Sequence, residues 1–215
     1  MVHRLRSRCD YVITGSNTVI QDNPSFSCRR GVAYTRNGGR KPADGPTRVI
    51  LDRSLKTFLW ETSNFPETLT ILHPTENSTP PSAPTIIYHT SLPPHPNPSP
   101  KVSLKKLEGE ERIGRRIIDD LGENSEEDQA IMIEGGGNLA KVFLEDDAIT
   151  HCIIIQSPLS LFPPPPVGVS SYVNSDRSGL RGFSKVGEYD SGGDTVECWC
   201  KDRESWMEEE VEEWP

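Results

Sequence analysis

Short apolar runs alternate along this chain with polar stretches, and the spacing inside each run predicts its conformation. Tyr11-Val12-Ile13-Thr14 reads as a buried strand between a short basic helix and a turn. Arg48-Val49-Ile50-Leu51-Asp52 reads as a second strand ending in an acid, and Leu69-Thr70-Ile71-Leu72 and Thr85-Ile86-Ile87-Tyr88 read as two more. From Leu104 to Leu121 apolar residues recur at 104, 107, 113, 117, 118 and 121, which predicts one amphipathic helix. Ile131-Met132-Ile133 predicts a strand, Gly135-Gly136-Gly137 a turn and Asn138 to Leu144 a second amphipathic helix. His151-Cys152-Ile153-Ile154-Ile155 is the next strand. Phe183 to Tyr189 and Thr195 to Trp199 flank Asp190-Ser191-Gly192-Gly193, the pattern of a hairpin. Strand and helix in alternation, closed by an antiparallel hairpin, predict an α/β fold with a mostly parallel sheet flanked by helices.

Composition sets the limits of that fold. Leu, Ile, Val and Phe stand just above the ~20% share below which a charged chain fails to build a core, so the core is lean. Ten of the 19 prolines fall between Pro66 and Pro100. The expected organisation is therefore a single domain over residues 1–200 with a Pro-rich insertion at about 74–100, followed by an acidic tail, 201–215. Pro93 to Pro100 has proline at five of eight positions and fits neither a helix nor a central strand. The formal net charge of −9 argues against nucleic acid or an anionic membrane as partner, since both demand clustered Lys and Arg. Five cysteines (9, 28, 152, 198 and 200) at scattered spacings suit reduced thiols in a cytoplasmic setting. Cys198-Trp199-Cys200 has no second Cys or His pair to complete a metal site, and no metal is expected.

Two segments carry candidate chemistry. Ile133-Glu134-Gly135-Gly136-Gly137-Asn138 follows a strand and opens a helix, so its backbone can approach an anionic ligand at a positive helix end. Glu134 is placed to accept hydrogen bonds from a ligand's donors; an empty strand-to-helix turn is the plain alternative. Ala140-Lys141-Val142 stands where a nucleotide-hydrolase loop would carry Gly-Lys-Ser/Thr, and the dinucleotide fingerprint Gly-x-Gly-x-x-Gly is absent. The second segment runs from Thr14 to Pro24, a strand end with Gly and small hydroxyls, a short helix, then Asp-Asn-Pro. Its small polar residues can bind a ring or phosphate, or Ser16 or Asn17 can simply cap the helix. Arg4, Arg6 and Arg8 before this strand, and Arg29 and Arg30 after it, either converge on an anionic substrate or remain surface charge. Histidines 3, 73, 89, 95 and 151 form no ligand pair, and Gly-x-Ser-x-Gly is absent, so zinc deaminase and serine hydrolase chemistry find no support.

Together, His3-Arg4-Leu5-Arg6-Ser7 through Asp22-Asn23-Pro24-Ser25-Phe26 and Arg29 resemble the opening helix and strand of the riboflavin-biosynthesis reductase domain. That domain is the C-terminal half of the bacterial-type bifunctional deaminase–reductase. Arg48-Val49-Ile50-Leu51-Asp52 resembles its next strand, and Ile133-Glu134-Gly135-Gly136-Gly137-Asn138-Leu139 its Glu-Gly-Gly turn. The resemblance is good over residues 1–60 and 128–160. It implies a dihydrofolate-reductase-like fold and NADPH as hydride donor. The implied reaction reduces the ribosylamino side chain of a 5-aminouracil 5′-phosphate, 5-amino-6-(5-phosphoribosylamino)uracil, to the ribitylamino form. It further implies that Arg6, Phe26 and Arg29 hold this phosphorylated aminopyrimidine and that Glu134 reads its donors. Thr18, Asp22 and the turn of Gly136, Gly137, Asn138, Leu139 and Ala140 would hold NADPH. No residue stands out as an obligatory general acid. Family members carry a Ser-x-Asp-Gly strand and a Ser-Lys-Trp loop before the His-Arg-Leu-Arg helix at which this chain opens. The expectation is an N-terminally truncated domain that lacks a central strand, with a plastid location if a transit segment precedes it. After Ser157-Pro158, Leu159-Ser160-Leu161 replaces the family's Leu-Gly-Gly. Two other readings are a reductase of the same fold acting on a pterin-like ring and a non-catalytic remnant. The family's assembly implies a homodimer.

Overall fold

Five short strands pair side by side in one parallel sheet: β1 (Tyr11–Gly15), β2 (Thr47–Leu51), β3 (Thr85–His89), β4 (Val102–Lys106) and β5 (Ile131–Ile133), in the order β4-β3-β2-β1-β5. The structure, a computed structural model, describes residues 2–28, 45–58, 68–73, 82–91, 100–123, 129–159 and 179–202. A parallel sheet covered on both faces demands apolar side chains at consecutive positions, and successive residues of a strand face opposite sides. Val12, Ile50 and Ile87 enter one core with Val19, Phe26, Leu69 and Leu72. Their neighbours Ile13, Val49 and Tyr88 enter the other, beneath helices α3 (Ile113–Gly122) and α4 (Gly137–Glu145). The parallel sheet with helices, and the antiparallel unit at the end of the chain, are as the hydrophobic pattern predicts.

That antiparallel unit has three strands in the order β6-β8-β7: β6 (His151–Gln156), β7 (Ser184–Ser191) and β8 (Asp194–Cys200). Gly192 (φ 69°) and Gly193 (φ 94°) form the two-residue connection, where positive φ at both positions matches the twist of a tight hairpin. Cys198 and Cys200 lie buried on one face of β8 beside Val186 and Tyr189. Burial pushes the Cys198 thiol up, which keeps it protonated and unreactive. Among the described residues no three His, Cys, Asp or Glu side chains come together, and no helix is long and apolar enough to cross a membrane.

Two further helices flank β1: α1 (Val2–Arg8) precedes it and α2 (Ser16–Asp22) follows it. Asn23 stops α2 in the left-handed conformation (φ 43°, ψ 53°), which Asn tolerates because its short amide bonds locally. Its side chain bridges Thr68 O (3.1 Å) and Thr70 N (2.7 Å). Ser16 and Asn17 do not cap α2: the N-cap is Gly15, and no side chain bonds that end.

Two expectations are corrected. Leu69-Thr70-Ile71-Leu72 is a turn, closed by Leu72 N to Leu69 O at 2.9 Å, although Leu69, Ile71 and Leu72 are buried. Its backbone is satisfied locally, so the apolar run covers the sheet without joining it. The helix expected from Leu104 begins only at Ile113. Residues 102–106 pair with β3 instead, and Gly109 (φ 76°) and Arg112 (φ 48°) break the chain before α3. Leu104 and Leu107 fall in helical register with Ile113 and Ile117 by coincidence, and Val102 and Leu104 fit a strand's period of two equally well. The strand expected at Thr85 to Tyr88 is β3, which lies inside the 74–100 segment. Arg29, Arg30, Pro93 and the acidic run Glu208 to Glu213 lie outside the described residues.

One polar tie joins β3, β4 and α3. The buried Tyr88 hydroxyl donates to Asp120, which also accepts from Lys105 Nζ at 2.6 Å. Burial alone would push the Asp120 carboxyl up, but hydrogen bonds from Lys105 and Tyr88 outweigh it and hold it below the ordinary carboxylate range. A carboxyl depressed on folding stabilises above its unfolded value, and that contribution disappears as pH falls through the folded value. Tyr88→Phe is therefore expected to lower stability by about 1 kcal/mol at pH 7. The gap between variant and parent should narrow below about pH 4. Urea melts at pH 7 and pH 3 check both statements, and a gap that widens in acid would refute the tie.

Candidate functional site

The strand order dictates where a ligand can sit. From β1 the chain steps through β2 and β3 to β4 in one direction, then places β5 on the opposite side of β1. At such a reversal the connections leave the carboxyl ends of neighbouring strands in opposite directions and open a crevice, the preferred ligand site of parallel sheets. β1 ends here in Gly15, β5 runs into Glu134, and Glu134 N bonds Ile13 O at 2.8 Å across the switch. A cleft of about 950 Å³ opens over these ends, near the upper limit of small-molecule sites (roughly 300–1,000 Å³).

Arg6, Glu134 and Phe26 form one wall. The Arg6 guanidinium grips the Glu134 carboxylate as a fork, Nε to Oε2 at 2.7 Å and Nη2 to Oε1 at 2.5 Å, and lies 5.1 Å above the Phe26 ring. The charge-assisted fork and the ring contact fix both the plane and the direction of the carboxylate. Phe26 reaches this place through a left-handed backbone (φ 51°), an uncommon conformation for a bulky residue and one that concentrates at functional sites. The segment is steadied from below by buried Arg48, whose Nη1 donates to Ser25 O at 3.4 Å.

The floor is glycine. A Cβ on Gly135 would meet Leu139 Cδ2 at 2.8 Å, so a side chain there would have to push the Leu139 side chain aside. A Cβ on Gly136 would meet nothing within 4 Å and would stand in the cleft. Gly136 is the N-cap of α4 and Gly15 the N-cap of α2, and no side chain caps either helix. Two positive helix ends thus line one cleft with neither capped by a side chain, an arrangement that accepts an anionic ligand. Because Gly136 has ordinary extended dihedrals (φ −72°, ψ 171°), Gly136→Val is expected to leave Tm within about 2 °C. The same change should weaken nucleotide binding about tenfold by filling the space; equal affinity by calorimetry would show that no ligand lies against this turn.

Residues 1–161 match the model of the RibD C-terminal domain family. The chain belongs to that family. A 2,5-diamino-6-ribosylamino-4(3H)-pyrimidinone 5′-phosphate reductase of Methanothermobacter thermautotrophicus is 38% identical over 56 residues, 26% of this chain and 23% of that protein. The bifunctional diaminohydroxyphosphoribosylaminopyrimidine deaminase/5-amino-6-(5-phosphoribosylamino)uracil reductase of Thermotoga maritima superposes with a TM-score of 0.62 at 23% identity. The match covers 93% of this chain and 47% of that one. The riboflavin biosynthesis reductase Rib7 of Saccharomyces cerevisiae gives 0.57 at 17%, covering 92% and 77%. The chain thus spans about a quarter of the archaeal reductase (23%) and about half of the bifunctional enzyme (47%). The fold is that of the RibD reductase half, the dihydrofolate-reductase-like arrangement implied by the opening and glycine segments.

Of the positions that the family resemblance singles out, the cleft gathers Arg6, Thr18, Asp22, Phe26, Glu134, Gly136, Gly137, Asn138 and Leu139. Ala140 sits half-buried one position further along α4, off the wall, and Arg29 lies outside the described residues. Arg4 and Arg8 are exposed and do not line the cleft. Arg6 and Glu134, read separately in the sequence as a phosphate holder and a donor reader, are bonded to each other. Sequence reasoning missed the segment after β2, where Asp52, Arg53, Ser54 and Lys56 complete the far wall. The signal for them was present, because a strand parallel to and beside β1 must deliver its following loop to the same edge.

Proposed function

We propose that this chain catalyses the NADPH-dependent reduction of 5-amino-6-(5-phosphoribosylamino)uracil to the ribitylamino form, a step of riboflavin biosynthesis. The observation that carries the reading is the switch-point cleft in a member of the RibD C-terminal domain family. It is lined by uncapped helix starts, by bare glycine and by the oriented Arg6–Glu134 fork. Open space at Gly136 and Gly15 fits a pyrophosphate laid against backbone N–H groups. Bound there, NADPH supplies the hydride.

The chain's own residues bind and orient. Glu134, held in one plane by Arg6, accepts hydrogen bonds from the amino and ring N–H donors of the aminopyrimidine. The remaining Arg6 N–H groups face the same ligand, and Phe26 closes the wall behind them. Thr18 and Asp22, one helical turn apart on α2, offer hydroxyl and carboxylate partners to the dinucleotide. Positioning of this kind accounts for several kcal/mol of a barrier, provided the reacting atoms are held in register. Absorbance at 340 nm with the phosphoribosylaminouracil and either NADPH or NADH tests the reading. The expected result is turnover with NADPH and weaker binding of NADH. A folded chain that neither binds nor oxidises NADPH would overturn it.

A further inference from the structure

The turn Leu69-Thr70-Ile71-Leu72 lies off the cleft wall, and the reading above gives it no part. It is nevertheless well anchored. Leu69, Ile71 and Leu72 pack in the same core as Val19 and Phe26. Ile71 O accepts from the buried Thr85 hydroxyl of β3 at 2.8 Å, which bonds the turn to the sheet. The turn in turn holds Asn23, whose Nδ2 donates to Thr68 O at 3.1 Å and whose Oδ1 accepts from Thr70 N at 2.7 Å. One partner is an acceptor and the other a donor, and an amide satisfies both at once. Asn23 does not line the cleft, but Asp22 and Pro24 on either side of it do, and so does Phe26 two residues further on.

The segment from Asp22 to Phe26 needs such a hold. It leaves α2 through a left-handed Asn23 (φ 43°, ψ 53°), passes Pro24 and reaches a second left-handed residue at Phe26 (φ 51°). Asn adopts that conformation at little cost, whereas a bulky aromatic residue keeps it only where its surroundings impose it. From the sheet side Arg48 Nη1 donates to Ser25 O at 3.4 Å, and from α1 His3 Nδ1 donates to Ser27 O at 3.3 Å. Both bonds are long, and the shorter pair at Asn23 secures the other end. We propose that Asn23 is a positioning residue: by tying this segment to the 69–72 turn it sets Asp22 toward the dinucleotide and Phe26 behind Arg6. This role deepens the functional reading above and rests on it. Without the tie the segment spends only part of its time in the binding geometry, and apparent affinity falls by that fraction. Bound ligands restore the geometry, so Kd and KM rise while kcat is kept.

The test compares the parent with Asn23→Gly and Asn23→Ala. It reads kcat, KM for the phosphoribosylaminouracil and calorimetric Kd for NADPH, with thermal melts to establish the folded fraction. Asn23→Gly removes the amide but leaves a residue that takes the left-handed conformation freely, so it isolates the tie. The expected result is a rise of roughly five- to tenfold in Kd and KM with kcat within about twofold of the parent. Asn23→Ala, which also resists the left-handed backbone, should lose at least as much affinity. If it fails to fold, Asn23→Gly decides. Hydrogen exchange across residues 22–27 of the free protein should quicken several-fold in Asn23→Gly and slow again with NADPH bound. A lower melting temperature with Kd and KM within twofold of the parent overturns the positioning role, because the amide then supports the fold alone. Loss of kcat at unaltered Kd and KM overturns it as well. Failure of the parent to bind or oxidise NADPH overturns the reductase reading and the role together, whereas an active parent matched by Asn23→Gly overturns the role and leaves the reading standing.

Discussion

Arg6→Ala is expected to lower kcat/KM for the phosphoribosylaminouracil about 30-fold or more while NADPH affinity stays within about twofold. Truncating one partner of a buried, hydrogen-bonded charge pair costs about 2–5 kcal/mol, and each 1.4 kcal/mol is a factor of ten. The pair here is only partly buried, with side-chain exposures of 13% for Arg6 and 28% for Glu134, which places the loss at the lower end. Two things are lost together: the fork that orients the carboxylate and the cation over the Phe26 ring. Arg6→Lys should not rescue, because an ammonium supplies neither a planar fork nor the same stacking. Glu134→Ala should cost at least as much, and the double variant should be far less than additive, since each single change already breaks the same unit. A fully additive double variant, or Arg6→Ala with kcat/KM within twofold of the parent, would show that Arg6 and Glu134 do not act as one device on the substrate.

The legibility of this site in the sequence follows from how locally each part is specified. The glycine turn and the start of α2 are contiguous segments, and both contribute to the wall because a strand end, a turn and a helix start are written side by side. The β1, β2 and β5 runs are near-continuous in apolar residues, which is what double-sided burial requires, and they were legible for that reason. The pairing of Arg6 with Glu134 spans 128 positions and depends on β5 lying next to β1, a matter of sheet order that no local spacing encodes. Arg53 and Lys56 went unread for the same reason: their loop is polar and unremarkable until β2 is known to flank β1. Leu69-Thr70-Ile71-Leu72 shows the opposite failure. An apolar tetrapeptide reports that it will be buried but not whether its backbone bonds to a neighbour or to itself. β4 was concealed by a coincidence of periods, Leu104 and Leu107 being compatible with a helix that the chain breaks at Gly109 and Arg112.

Phe143→Ala is expected to produce the largest loss of stability of any single change considered, about 3–5 kcal/mol, against a total of about 5–15 kcal/mol for a domain. Phe143 is wholly buried on α4, in the core that also holds Ile13, Val49 and Ile117. Its place is fixed from α3 by Gly114, where an added Cβ would come within 3.1 Å of both Phe143 Cα and Cδ1. The helices therefore touch backbone to side chain, and Gly114 N donates to Asp146 Oδ2 at 2.6 Å just beyond the end of α4. Because the α3 residue that meets Phe143 is a glycine, that position offers no side chain to fill the space, and the cost is high. Because the start of α4 is the glycine floor of the cleft, the same loosening should reach the site. NADPH affinity should fall several-fold in the folded variant, although Phe143 does not line the cleft. Phe143→Leu, which keeps much of the volume, should cost about half as much or less and spare binding. Urea melts with calorimetric NADPH titration separate the two effects. If Phe143→Ala melts within 1 kcal/mol of the parent, or loses stability with unaltered NADPH affinity, then α4 is not the rigid support on which the cofactor end of the cleft is built.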